Sequence, residues 1–222
     1  MSALLLAACG APVQKPKPAP AKTPPAIGLV ALPCDGGPLR PHAKAYCLGR
    51  RNYVTAPAQA SLLTAAEALR AAHPGSAVTY MEASWPLGRR PMPPHLSHGD
   101  GRQVDLALLY TDLDGRPLPG PPTLSGYGAY EPPARERDRA CTGKSRRAKR
   151  NDGQDPPANR AWRLDEARTA ALVRILSADP KVRRIFLEPH LKRRLGLGMD
   201  RKVRFAGCQA ARHDDHIHVD FF

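Results

Sequence analysis

The sequence predicts an α+β domain, with a small antiparallel central sheet flanked by helices and long loops. Strand-like and helix-like segments are mixed without a strand–helix–strand rhythm, which argues against a parallel sheet. Proline is abundant, at 25 of 222 residues, and favours loops and extended chain over a helical bundle. The segment Val104–Tyr110 is strongly apolar and predicts a central strand, while His216–Phe222 alternates in character and predicts a final one.

The remaining elements follow in order. Thr55-Ala56-Pro57 marks a helix start, with proline early in the first turn. Leu62, Leu63, Ala66 and Leu69 continue it as an apolar stripe that ends near His73-Pro74-Gly75. Ala77–Ala83 reads as a strand. Residues 115–160 are rich in proline, glycine and charge and read as long loops. Trp162–Leu176 reads as an amphipathic helix, because Trp162, Ala167, Ala170, Ala171, Val173 and Leu176 fall on one face. Val182–Leu187 is a strand, and Pro189–Leu195 is a short helix stopped by Gly196. No internal repeat is visible.

The N-terminus divides into three parts. Residues 1–9 end in Leu6-Ala7-Ala8-Cys9, which resembles a bacterial lipoprotein signal with Cys9 as the lipidated residue. The run lacks the Lys or Arg that usually opens such a signal, and its apolar stretch is too short to span a bilayer. Residues 10–27 form a Pro/Ala/Lys tract that cannot bury a core and suits an extended spacer. Residues 28–222 are long enough for one domain with its own core. A spacer after a lipid anchor would hold that domain away from a membrane, in the periplasm or elsewhere in the cell envelope.

Four further cysteines, Cys34, Cys47, Cys141 and Cys208, are an even number without a CxxC pair. In an exported protein this predicts two disulfides, in any of three connectivities. The formal net charge of +14 favours an anionic partner, but is equally expected of an arginine-rich composition. The basic stretch 135–150 is first a solvated surface loop and second a contact for an anionic polymer. With charge as its sole support and few aromatic residues, no nucleic-acid partner is expected.

The chemistry sits in two segments. One is His95-Leu96-Ser97-His98-Gly99-Asp100-Gly101-Arg102-Gln103-Val104-Asp105, and the other is His213-Asp214-Asp215-His216-Ile217-His218-Val219-Asp220. They hold five of the eight histidines. His216 and His218 are two apart on a strand, so both face one side. Gly99 and Gly101 let the preceding loop fold His98 back toward Asp105. Histidine nitrogen and carboxylate oxygen are zinc donors, and a catalytic zinc site keeps one position for water. Either half alone is a common pattern; together they predict one metal site built from both ends of a domain.

These residues resemble the H-x6-D…HxH signature of the LAS zinc peptidases, which include lysostaphin-type enzymes, D-Ala-D-Ala metallopeptidases and hedgehog domains. Within that group, His95 three residues before His98 and the His213-x-x-His216-x-His218 ending are similar to the penicillin-insensitive murein endopeptidases. Gly101–Leu106 and Val182–Leu195 add to the likeness, which extends over most of residues 45–222. It implies an LAS-type zinc peptidase fold, with Zn2+ bound by His98, Asp105 and His218. His216 would be the catalytic base or transition-state stabiliser, with His95 and His213 as auxiliary site residues. The implied substrate is peptidoglycan, cleaved at the D-Ala–diaminopimelate cross-link. The sequence departs from the carboxypeptidases and dipeptidases of the group, which place a Glu before the last histidine pair where Asp214 and Asp215 stand here. An Asp could serve as base in its place. Tyr127 and Tyr130 fit either a substrate groove or a turn, and Cys208 fits a disulfide better than the site. Two alternatives stay open: a zinc D,D-carboxypeptidase or dipeptidase, and a non-catalytic module that binds murein and keeps zinc structurally.

Overall fold

The computed structural model describes residues 28–88, 92, 97–141, 156, 157 and 159–222. The signal ending at Cys9, the linker 10–27, His95 and residues 142–150 of the basic stretch lie outside them.

The fold is α+β. Its main sheet has six strands in the order β2 (Leu39–Pro41), β4 (Val78–Tyr80), β5 (Gln103–Ala107), β10 (His216–Phe221), β8 (Val182–Phe186) and β9 (Val203–Arg204). The sheet is mixed, which corrects the expectation of an antiparallel one. The four inner strands are antiparallel, but β2 pairs with β4 and β8 with β9 in parallel. Each parallel pair needs a crossover connection. Helix α2 (Ala56–Ala72) lies in the connection from β2 to β4, and α4 (Pro189–Arg194) in that from β8 to β9. A short β1 (Val30–Ala31) pairs with β3 (Tyr53–Val54), and α1 (Lys44–Leu48) lies between them in sequence.

Two sequence elements change at their ends. The apolar run 104–110 divides into β5 and a separate β6 (Tyr110–Asp112), which pairs with β7 (Trp162–Leu164). Trp162 is therefore in a strand, and helix α3 begins only at Glu166 and runs to Ala178. The reason is local: the Asp165 side chain accepts from Arg168 N at 2.9 Å, an N-cap that fixes the start. Helix α2 has a Thr55 cap of the same kind, but Leu63 of its expected stripe is exposed at 36%.

Helices α2 and α3 pack on each other, and α3 packs on β8. Leu62, Leu69, Leu172 and Leu176 from the helices share one core with Val104, Leu106, Ile217 and Val219 from the sheet. Each such burial contributes about 1.5–3 kcal/mol before entropy is counted. Along β10 the apolar residues Ile217, Val219 and Phe221 face this core. The period of two puts His216, His218 and Asp220 on the opposite face. A slip of one residue would drive three ionisable groups into the hydrocarbon, so the register of β10 is strongly specified.

Of the three possible cysteine pairings, the structure forms Cys34–Cys47 and Cys141–Cys208. No helix among the described residues is long and apolar enough to cross a membrane.

Candidate metal centre

The register of β5 and β10 sets Asp105 directly opposite His218 and Ala107 opposite His216. His98 arrives from the loop before β5. Gly101 turns that loop with φ +75°, and a Cβ there would lie 2.5 Å from Leu29 Cδ2. Only glycine takes that conformation cheaply in so little space. The loop is held by Thr55 N donating to Gly101 O and by Arg102 N donating to Asp100 Oδ1, each at 2.9 Å.

Three atoms then converge. His218 Nδ1 is 2.9 Å from Asp105 Oδ1, His98 Nε2 is 3.3 Å from the same oxygen, and the two nitrogens are 3.3 Å apart. In a tetrahedral site with metal–donor bonds of about 2.0–2.1 Å, two donors stand about 3.3 Å apart. The three separations thus approximate one face of such a tetrahedron. His98 Nδ1 lies 2.9 Å from Ala83 O, so it carries the proton and leaves Nε2 with a lone pair. These buried His and Asp groups could hold a metal ion, and a second overlapping set, His213, His216 and His218, meets the same spatial condition.

Asp105, His216 and His213 each have a supporting contact. Tyr127 donates to Asp105 Oδ2 at 2.6 Å, leaving Oδ1 toward the histidines. Burial and the Asp105 charge push the Tyr127 phenol well above its usual range, so it remains a donor. His216 Nε2 stands 3.7 Å from Asp105 Oδ1, and its Nδ1 is 2.5 Å from Asp215 Oδ1. The other Asp215 oxygen accepts from Gly128 N at 2.7 Å. His213 packs its ring 4.9 Å from that of His216. Its backbone is fixed by two hydrogen bonds with Glu188, through the side chain at 3.1 Å and the main chain at 3.0 Å.

The electrostatics follow from burial against charge. Burial opposes protonation of His216, but Asp105, Asp215 and Asp214 outweigh it and push the imidazole up to about 9. Burial holds His218 below the ordinary histidine range, with Asp105 offsetting only part. At His98 burial is again opposed by Asp105, and the balance is upward.

No protein-family model matches the chain, and no curated protein matches it significantly.

Of the residues singled out in the sequence, His98, Asp105, His213, His216 and His218 come together. Cys208 does not join them, being tied to Cys141. Asp214 pairs with Arg212 and Asp215 with His216, so neither carboxylate is directed as a lone base. Tyr127 is a site residue, while the Tyr130 ring lies 4.0 Å beneath the Arg212 guanidinium. The sequence reading assigns no orienting role to Asp215 or to the carbonyl of Ala83. Asp215 beside His216 was a visible signal; no sequence signal marks a backbone carbonyl.

Proposed function

We propose that the chain has an LAS-type fold and is a zinc-dependent murein endopeptidase of the cell envelope, anchored through lipid at Cys9. The tetrahedral spacing of His98 Nε2, Asp105 Oδ1 and His218 Nδ1 carries the metal assignment. Nitrogen and carboxylate donors in that shape suit zinc. Zinc in this position supplies a Lewis acid that polarises an amide carbonyl and acidifies water.

The chain's own groups do the rest. Asp215 holds the proton on His216 Nδ1, which leaves Nε2 as the basic atom beside the donors. His216 Nε2 takes a proton from the attacking water and returns it to the leaving amine. Tyr127 keeps Asp105 in one orientation, and His213 packs against His216. Two disulfides fit an oxidising compartment, which agrees with an envelope location.

The purified protein is mixed with cross-linked murein and the products are weighed by mass spectrometry. Conversion of cross-linked dimers to monomers is expected, with a block by chelator and by His216→Ala. Trimming of stem ends with cross-links intact would replace the endopeptidase by a carboxypeptidase. Zinc-dependent pull-down of murein without any cleavage would leave a binding module.

A further inference from the structure

The face that carries the metal donors continues past β10 toward the sheet edge. His218 pairs with Phe186 on β8, and Phe186 pairs with Arg204 on β9. Paired residues present their side chains to the same face, so Asp105, His218, Phe186 and Arg204 form one row. Gln103, Asp220 and Arg184 form the next. On the reverse face Ile185 and Val203 are buried in the core, which confirms the assignment of sides.

Contacts run from the centre through Phe186 into the second row. The Phe186 ring lies 5.5 Å from that of His218 and 5.7 Å from that of His213. The Arg184 guanidinium carbon lies 5.1 Å from the Phe186 ring centroid. Arg184 is anchored through Nε, which donates to Asp220 Oδ2 at 2.5 Å. That buried carboxylate also accepts from Arg183 and Gln103. Two guanidiniums thus share one carboxylate, and a positive charge is left over. The Arg184 side chain is 39% exposed, and Arg204, on the neighbouring strand opposite Phe186, is exposed as well.

We propose that Arg184 and Arg204 form a carboxylate-binding subsite for the peptide substrate, with Phe186 as the floor between it and the metal donors. The subsite rests on the peptidase reading of the centre. The two steps from His218 through Phe186 to Arg184, 5.5 and 5.1 Å, limit the separation to at most about three residues of extended peptide. The ligand is therefore a short acidic peptide with a free carboxylate within about three residues of the cleaved bond. A guanidinium suits it, because its planar fork matches a carboxylate in a charge-assisted pair.

Two probes test this: a cross-linked stem-peptide dimer with the diaminopimelate carboxylate near the cross-link free, and the same dimer with that group as a carboxamide. For the wild-type protein, amidation is expected to raise KM about tenfold with little change in kcat. Arg184→Gln should raise KM on the free probe by a similar factor and erase the difference between probes. Arg204→Gln should act in the same direction, and because Arg204 holds no buried carboxylate it carries the test if R184Q fails to fold. Arg184→Lys should restore part of the discrimination. Arg70→Gln, which removes the same charge from α2, should leave it intact. Wild-type discrimination in both folded glutamine variants, or in R204Q alone if R184Q does not fold, overturns the subsite. If neither probe is cleaved, the peptidase reading fails, and calorimetric binding of both probes to the zinc-loaded protein still decides the subsite. A preference for the free carboxylate that R184Q or R204Q removes supports it, and equal binding of the two probes overturns it.

Discussion

His216 and His218 stand two residues apart and face one carboxylate, yet their surroundings push them in opposite directions. His218 is held neutral by burial, as a metal donor must be. His216, with its Nδ1 on Asp215, is charged at neutral pH while no cation sits beside Asp105. A dication there opposes the carboxylate's field, so zinc binding should expel the His216 proton. Calorimetry in buffers of different ionisation enthalpy is expected to show proton release at pH 7 that His216→Ala lowers, and the His216 share should disappear above about pH 9. The stability sign follows. The folded value lies above the ordinary 6.5, so in the metal-free protein this contribution is complete below about 6.5 and is lost as pH rises through about 9. The roles also separate by substitution. His218→Ala should abolish stoichiometric zinc, read by elemental analysis. His216→Ala should retain zinc and lower kcat by about 10²–10⁴-fold. Loss of zinc from both variants would place the ion among His213, His216 and His218 instead.

At the scale of elements, residues 125–131 act as a strap over the centre. Tyr127 reaches Asp105, Gly128 N reaches Asp215, and Glu131 N donates to Asp214 O at 2.7 Å. Gly126 makes the strap possible: its φ is +85°, and a Cβ there would overlap Met81 Sδ. Gly126→Ala should cost about 1–3 kcal/mol through strain at that conformation. It should also weaken zinc binding, because Tyr127 loses its purchase on Asp105. Urea denaturation and a zinc competition assay check the two effects, and unchanged affinity would leave the strap a merely structural loop. This element also marks where the sequence stops being legible. His216 and His218 are readable as one face because a strand has a fixed period of two, whereas the joining of His98 and Asp105 to them is implied by the resemblance and brought about by the register of β5 against β10. The apolar stripe of α2 was readable in the same way, with Leu63 misplaced. Trp162 was misassigned because an aromatic at helical spacing outweighed the cap at Asp165. The parallel edge strands and the strap depend on long-range contacts that no local period records.

For the whole molecule, the two disulfides constrain unequal stretches of chain. Cys34–Cys47 closes a separation of 13 residues near the N-terminal edge of the fold. Cys141–Cys208 closes 67 residues and joins the chain beyond the strap to the segment that leads into β10. If the main effect is lost entropy of the unfolded chain, the shorter loop contributes about 3 kcal/mol and the longer about 4 kcal/mol. Chain entropy alone therefore ranks them by a small margin, but their positions differ more than their loop lengths. Releasing Cys208 frees the approach to His213 and His216, while releasing Cys47 acts on the centre only indirectly, through Tyr46, which donates to Ser125 O at 2.5 Å at the start of the strap. The double variant Cys141→Ser with Cys208→Ser should therefore lose both stability and zinc affinity. Cys34→Ser with Cys47→Ser should lose stability with a smaller effect on zinc. Denaturant midpoints and zinc titrations on the two variants, each compared with the oxidised protein, separate these outcomes. Equal loss of zinc affinity in both would mean that the centre depends on global stability rather than on the bridge beside it.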